Sequence, residues 1–207
     1  MAETAAVARS PIPPAPPVGF FAGWEISPAR VEAPLTLADS TPLAKVLVRA
    51  APGGAVAGAL DTPFGGARRN GAGTLTVGSG PGEWLLLGAP GAGPGLVDRW
   101  GSVGDDGLVT VVDVTSGRAA LRLTGGAAAA VLAKVCALDL AAAADRSAFR
   151  SSVAEVVTQV VRDDRGGTPS YLFVCDRSFG RYLADALLDA GGEFGIAMTG
   201  LNVEDEP

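Results

Sequence analysis

The stretch from Val109 to Leu140 restricts the fold more than any other part of this 207-residue sequence. It begins with the composition of a strand, and Thr115-Ser116-Gly117 supplies a turn. Arg118 to Thr124 then alternates apolar and polar residues, the pattern of a second strand. Gly125-Gly126 ends that strand, and Ala127 to Cys136 has the apolar spacing of a helix.

The remainder of the second half predicts two more strands and a second helix. Val153 to Arg162 and Ser170 to Cys175 are strand-like, and the polar break from Asp163 to Gly167 predicts a hairpin connection. Phe179 to Ala190 has apolar residues at helical spacing, and a final strand is expected near Phe194 to Met198. The order β-α-β-β-α predicts a ferredoxin-like split βαβ half, an antiparallel sheet with both helices on one face.

The first half predicts strands of its own. Lys45 to Ala50, Thr74 to Val77 and Glu83 to Gly88 are strand-like, and Leu96 to Trp100 is a candidate short helix. We therefore predict an α+β body at 43–200, with lobes at about 43–107 and 108–200. An acidic tail follows at 201–207.

Residues 1–42 are rich in proline, which predicts an extended arm without helix or ladder pairing. The arm also carries Phe20, Phe21 and Trp24, which a free tail would expose unfavourably. Two interpretations remain, a disordered tail and an arm that packs on a partner chain. The three aromatic residues are the candidate partner contacts.

The sequence contains no histidine, which excludes Ser-His-Asp and Cys-His catalysis and imidazole zinc sites. No phosphate-binding glycine motif occurs, so carboxylates, arginines and tyrosines would have to carry any catalysis. The net charge of −6 disfavours nucleic-acid binding. Cys136 and Cys175 have no metal or redox spacing and are expected to be reduced and buried. The sequence has no convincing signal peptide or membrane span, so we expect a cytoplasmic protein.

Three segments together resemble the gamma subunit of heterotetrameric sarcosine oxidase. The resemblance covers roughly residues 75–195. It rests on Gly80 to Gly88 (GPGEWLLLG), on the region from Val111 to Leu140 with its central aspartate turn, and on Tyr171 to Ala190. That subunit is distantly similar to the folate-binding T-protein of the glycine cleavage system. The resemblance therefore implies a T-protein-like folate-binding fold.

The resemblance also implies a cytoplasmic complex with alpha, beta and delta subunits. Such a complex demethylates sarcosine oxidatively to glycine, releases hydrogen peroxide and passes the one-carbon unit to tetrahydrofolate. FAD, FMN, NAD, tetrahydrofolate and zinc are expected on the partner subunits and none on this chain, whose role would be assembly. The sequence departs from the family at Arg150 to Ala154, where a Gln-Thr pair is lost, and in its longer proline-rich arm.

Asp113 is the weak catalytic candidate. It could handle a proton beside a pterin, but a strand-end aspartate that accepts backbone N–H bonds in the following turn is the favoured interpretation. Arg118 could reach a carboxylate of folate or of a partner chain, although a surface ion pair is favoured. Trp84 and Tyr182 are expected in the core, and Glu83 either forms a buried pair or faces water.

Three functions follow from these observations. The first and favoured one is a non-catalytic subunit of sarcosine oxidase. The second is a stand-alone folate-binding one-carbon-transfer protein that uses Asp113. The third is a structural adaptor of another assembly, which neighbouring sarcosine oxidase genes would disfavour.

Overall fold

A computed structural model describes residues 6–104 and 107–201, and two stacked β-sheets form its centre. The helices are α1 (Ala55–Leu60), α2 (Gly93–Gly101), α3 (Ala128–Val135) and α4 (Gly180–Gly191). The strands are β1 (Ala8–Arg9), β2 (Gly19–Phe21), β3 (Trp24–Ile26), β4 (Leu35–Asp39), β5 (Ala44–Arg49), β6 (Ala67–Arg69), β7 (Leu75–Gly80), β8 (Glu83–Gly88), β9 (Thr110–Asp113), β10 (Arg118–Gly125), β11 (Ala148–Val153), β12 (Val156–Arg162), β13 (Ser170–Asp176) and β14 (Ile196–Thr199). Helices α3 and α4 cover the outer face of one sheet, and α1 and α2 cover the outer face of the other.

The larger sheet confirms the predicted split βαβ arrangement. Its order is β11-β12-β13-β10-β4-β14, with β13 antiparallel to both of its neighbours. Strands β10 and β12 therefore run parallel with β13 between them, and α3 lies on the crossover. Strand β4 separates β10 from β14, which pairs parallel to β4.

One predicted strand is in fact half of a hairpin. The sequence predicted a single strand from Val153 to Arg162, but β11 and β12 pair across Ala154 and Glu155. Both of these residues have positive φ, as a two-residue hairpin turn of this type requires. The turn escaped prediction because glycine, asparagine and aspartate usually occupy such positions.

The smaller sheet has the order β6-β7-β8-β5-β9 and is antiparallel throughout. Its central hairpin contains β8 at the predicted bounds, and Trp84 is buried with its Nε1 donating to the Thr62 carbonyl at 2.8 Å. Helix α1 and strand β6 were not predicted, because their Gly- and Ala-rich sequences carry little periodic signal. The lobe boundaries stay predictions. Strand β9 belongs to the second predicted lobe but pairs in the smaller sheet, and β4 precedes both lobes and pairs in the larger sheet.

The expectation that prolines exclude ladder pairing in the arm is wrong for its described part. Strands β1, β3 and β2 form a small sheet, and Leu35 to Asp39 is a fully paired strand of the larger sheet. The prolines fall between these strands, where they interrupt no ladder. Residues 1–5 and all but Leu201 of the predicted acidic tail lie outside the described residues.

Tyr182 is 54% exposed, so its predicted place in the core is wrong. The buried face of α4 consists of Leu183, Ala184 and Leu187, which pack against the larger sheet. This face is rotated from the predicted apolar stripe, and it leaves Phe179 and Tyr182 in solvent.

A buried carboxylate joins the two sheets at Asp163, just after β12. It pairs with Arg69 of β6 at 2.7 Å, Arg122 of β10 at 3.2 Å and Arg165 at 3.0 Å, and also with Arg146. Burial alone would raise the pKa of Asp163, but the four guanidinium groups together lower it. Because the partners lie on both sheets, this one carboxylate fixes how the sheets meet.

We expect Asp163→Asn to lower the free energy of unfolding by about 3–5 kcal/mol, since it leaves clustered arginines without their counter-charge. Urea unfolding at pH 7 measures this change. The wild-type contribution is present above the ordinary Asp pKa of 3.8 and is lost as the pH falls through the lower folded pKa. Asp185→Asn is the matched control, since it breaks only an exposed pair with Arg181 and should cost under about 1 kcal/mol. Equal losses in the two variants would contradict the role of Asp163.

Candidate functional site

Asp113 ends β9, and its carboxylate is engaged within the chain. Oδ1 accepts a hydrogen bond from the Thr115 backbone N–H at 2.8 Å. Oδ2 lies so close to Gly93 that a Cβ built on this glycine would be 2.2 Å from it. Gly93 is the first residue of α2, where the helix end favours a negative charge. The carboxylate thus has the contacts of a strand-end aspartate that stabilises its turn.

Lys45 lies directly behind this turn and is fully buried. Its Nζ donates to the Thr41 and Leu43 carbonyls at 2.7 Å each, and the Lys45 backbone N–H donates to Thr115 Oγ1 at 2.9 Å. Burial lowers the pKa of Lys45 to about 7, and Asp39 and Asp113 oppose this shift. The lysine therefore stabilises the loop between β4 and β5, through which the chain passes from the larger to the smaller sheet.

Asp39, at the end of β4, is the carboxylate on the other side of this loop. Its Oδ1 accepts from the Thr41 backbone N–H at 3.0 Å. Burial raises the pKa of Asp39, while hydrogen bonds from Ser10 and Thr41 and the charge of Lys45 lower it. Both carboxylates near Lys45 are thus held by the chain's own loops.

Arg118 begins β10 and forms an ion pair with Asp176, its cross-strand neighbour on β13. The pair stands at the edge of a cleft of about 210 Å³ between the two sheets, which we call the intersheet cleft. Its apolar walls are formed by Leu47, Leu85, Val114, Val157 and Val174.

Glu83 lines the same cleft from the smaller sheet. Its side chain is largely buried and pairs with Arg49 at 2.6 Å and with Arg150 at 3.8 Å. It therefore forms a half-buried pair, the first of the two arrangements that the sequence left open. The cleft thus combines apolar walls with charged groups that already have partners.

The aromatic residues of the arm separate into two groups. Phe20 and Phe21 are 69% and 38% exposed on β2, so both can contact a partner. Trp24 is only 6% exposed and packs with Ile26 and Leu201 in a small core of its own. The structure therefore leaves the two phenylalanines as contact candidates and removes Trp24 from the surface.

Both cysteines are buried free thiols, as predicted. Burial raises the pKa of the Cys175 thiol to about 11. Within residues 6–104 and 107–201, no cluster of three or more Cys, Asp or Glu side chains is arranged to hold a metal ion. None of the helices in this part of the chain has the length and apolarity that a membrane crossing needs.

Sequence reasoning missed Lys45, Asp163 and Gln159, three buried polar residues that lie in or beside strands. Gln159 lies within a strand-like run, Lys45 lies at the start of one and Asp163 directly follows one. A polar residue at such a place normally indicates a solvent-facing position. In this fold both faces of several strands are buried, so the usual inference from alternation fails.

Two stacked sheets with a split βαβ half define a T-protein-like α+β fold, which confirms the predicted fold class. The chain is similar to one in heterotetrameric sarcosine oxidase from Corynebacterium sp. U-96, a structure in complex with pyrrole 2-carboxylate. The two share 28% identity with a TM-score of 0.69, over 81% of this chain and 90% of that one.

The chain is also similar to glycine cleavage system aminomethyltransferase T from Bartonella henselae. This likeness has 18% identity and a TM-score of 0.69, over 88% of this chain and 55% of that one. At this identity it shows the fold alone, and the chain spans little more than half of that relative. No protein-family model and no curated protein matches the sequence.

We expect Asp113→Ala to lower the free energy of unfolding by about 1 kcal/mol, because the Thr115 N–H loses its acceptor. Asp113→Asn keeps an acceptor oxygen and should recover most of this loss. Urea unfolding of both variants tests the assignment. Equal stability of wild type and Asp113→Ala would show that the contact contributes nothing.

The pKa of Lys45 predicts stability that rises with pH. Above pH 7 the folded state releases the lysine proton, while the unfolded state keeps it up to its ordinary pKa of 10.5. The free energy of unfolding should therefore rise by about 1–2 kcal/mol between pH 7.5 and 9 relative to Lys45→Met. Lys134→Met, at an exposed lysine, is the control and should keep the wild-type slope. A wild-type slope in Lys45→Met would contradict the lowered pKa.

Proposed function

We propose that this chain is a structural subunit, of the gamma type, in a heterotetrameric sarcosine oxidase. The observation that carries the proposal is the likeness to a chain of that complex, which extends over 90% of that chain at 28% identity. The weaker match to the aminomethyltransferase reaches 55% of its length, so the likeness to the oxidase chain is the more extensive.

A non-catalytic role is supported by how the chain uses its titratable groups. Asp113 holds the turn after β9, and Lys45 and Asp39 hold the loop between the sheets. The intersheet cleft, at about 210 Å³, is smaller than the roughly 300–1,000 Å³ of sites that bury drug-sized ligands. Tetrahydrofolate is a ligand of that size class, so the intersheet cleft does not fit it whole. More open clefts of about 490 Å³ beside Arg69 and about 640 Å³ beside Phe64 are larger.

In this proposal the chemistry belongs to partner chains of the alpha, beta and delta types in a cytoplasmic complex. These partners would hold FAD, FMN, NAD and zinc and would bind tetrahydrofolate. The complex would demethylate sarcosine to glycine, release hydrogen peroxide and pass the one-carbon unit to tetrahydrofolate. This chain would contribute surface and stability to the assembly.

The exposed phenylalanines of β2 support an assembly role. Phe20 is 69% exposed, and Phe21, the next residue of β2, is 38% exposed on the opposite face of the strand. Exposed aromatic side chains of this kind are enriched at protein interfaces. We therefore assign β2 to a partner contact.

The proposal predicts that co-expression with the alpha, beta and delta chains yields one complex, with a native mass equal to the sum of four chains and with bound flavin. Phe20→Ser should lower the yield of this complex severalfold without changing the melting temperature of the isolated chain. Leu108→Ser is the control, since Leu108 is 86% exposed outside the arm. Native mass spectrometry and flavin absorbance measure both effects.

A chain that remains free in the presence of these partners would overturn the proposal. The alternative is a stand-alone folate-binding one-carbon-transfer protein that uses Asp113. It predicts that the isolated chain gives a heat of tetrahydrofolate binding and that Asp113→Asn abolishes the one-carbon-transfer activity. Calorimetry on the isolated chain therefore separates the two functions. The proposed subunit should give no heat.

A further inference from the structure

The chain itself makes hydrogen bonds across three of the four edges of the larger and the smaller sheet. At β6, the Ala67 N–H donates to the Arg146 carbonyl at 2.7 Å. At β11, Val153 forms an antiparallel bridge with Cys136. At β14, the arm segment 27–31 bonds to the end of the strand. Such contacts protect an edge from pairing with a strand of another molecule.

The fourth edge strand is β9, and its outer side is open in the described structure. It pairs with β5 on one side, and none of the described backbone groups bonds to it from the other side. Thr110 and Asp113 are exposed, and Val112 is 44% exposed. The strand contains no lysine, arginine or proline, which commonly protect an edge. This edge is therefore available for pairing with another strand.

The directions of the backbone groups of β9 follow from its ladder with β5. The Val114 N–H donates to the Lys45 carbonyl at 2.8 Å, and antiparallel ladders alternate between hydrogen-bonded and non-hydrogen-bonded pairs. The N–H and C=O of Val112 therefore point toward β5, and those of Val111 and Asp113 point away from it. Outward groups at alternate positions form the template onto which an extended strand can add.

The open edge of β9 is continuous with the surface that carries the exposed phenylalanines. Gly93 lies against the Asp113 carboxylate, so that a Cβ on this glycine would clash with it. Gly91 lies against Ala22, which directly follows Phe21 at the end of β2. The end of β9 and the turn after β2 therefore contact the same short loop.

The length of β9 indicates what kind of molecule would occupy its edge. Its four residues span about 13 Å, at roughly 3.3 Å for each residue. A pairing of this length cannot by itself bury the roughly 1,200–2,000 Å² of a stable interface. The edge therefore fits a molecule that also contacts a larger surface, as a partner subunit bound to Phe20 and Phe21 would. Uncharged, β-branched side chains suit the position beside the Thr-Val-Val run of β9.

We infer that an extended strand of a partner subunit adds to the smaller sheet along β9, with the N–H and C=O groups of Val111 and Asp113 as its hydrogen-bond partners. This inference rests on the proposed function, because the partner is a subunit of the proposed complex. The added strand fixes the orientation of that subunit, and Phe20 and Phe21 contribute apolar contact to it.

Amide hydrogen exchange of the isolated chain and of the co-expressed complex tests the inference. In the isolated chain, the Val112 N–H should be protected by its bond to β5, whereas the Val111 N–H should exchange freely. In the complex, exchange at Val111 should slow by at least about tenfold, as one added hydrogen bond allows. Val112 is the internal control and should remain protected in both samples.

Two substitutions at Val111 test the same contact by a second route. Val111→Pro removes the outward N–H without removing a bond to β5. Val111→Ala is its matched control, because it loses the same valine side chain but keeps the N–H. Native mass spectrometry should show a severalfold lower yield of the complex with Val111→Pro than with Val111→Ala. The exchange experiment uses the wild type, so it decides the question even if the proline variant fails to fold.

The possible outcomes separate this inference from the proposed function. Unchanged exchange at Val111 in a complex that does form would overturn the inference and leave the proposed function intact. Protection of Val111 that develops in the isolated chain as its concentration rises would show pairing with a second copy, which would also overturn the inference. Absence of any complex would overturn the proposed function and the inference with it.

Discussion

The apolar contact between the two sheets is the constraint on which the rest of the structure depends. Alternate residues of β7 and β8 pack on the inner face of the larger sheet. The contributing residues are Leu75, Val77, Leu85, Leu87, Ala120, Ala148, Val161, Leu172 and Val174. Each fully buried leucine or valine contributes about 1.5–3 kcal/mol relative to exposure. Because α3 and α4 cover the opposite face, β10, β12 and β13 are buried on both sides.

Burial of these strands on both sides explains why their charged residues are paired within the protein. Charged residues on the inner face cannot reach water, so they need partners from the protein itself. Asp163 meets this condition through arginines from both sheets. Lys45 meets it through two loop carbonyls and a lowered pKa. These polar contacts are directional, and they fix the relative position of sheets that an apolar layer alone would allow to slide.

The sequence carried enough information for elements whose pattern is local. Glu83 to Gly88, the helix before Cys136 and the split βαβ order depend on alternation, helical spacing and glycine breaks, and they were predicted close to their observed bounds. Strand β4 was missed because the flanking prolines dominate its sequence, although they lie outside its ladder. Its pairing with β10 is a contact between distant segments, which local patterns do not encode.

The candidate site was less predictable for the same reason. Asp113 could be located because a turn follows it directly, and its hydrogen bond to Thr115 is a contact within two residues. Asp163 acquires its full set of partners only when the second sheet is in place, because Arg69 lies on that sheet. The helix face of α4 was misjudged at Tyr182 because helical spacing marks an apolar stripe without saying which side meets the sheet.

The polar groups between the sheets therefore differ in how completely the chain satisfies them. Asp163 and Lys45 are satisfied within the chain, so their retention is explained by folding alone. Gln159 is half satisfied, with its donor used and its acceptor free. Its Oε1 carries the cost of a buried polar atom without a partner, whereas the Asp163 carboxylate is compensated by four arginines.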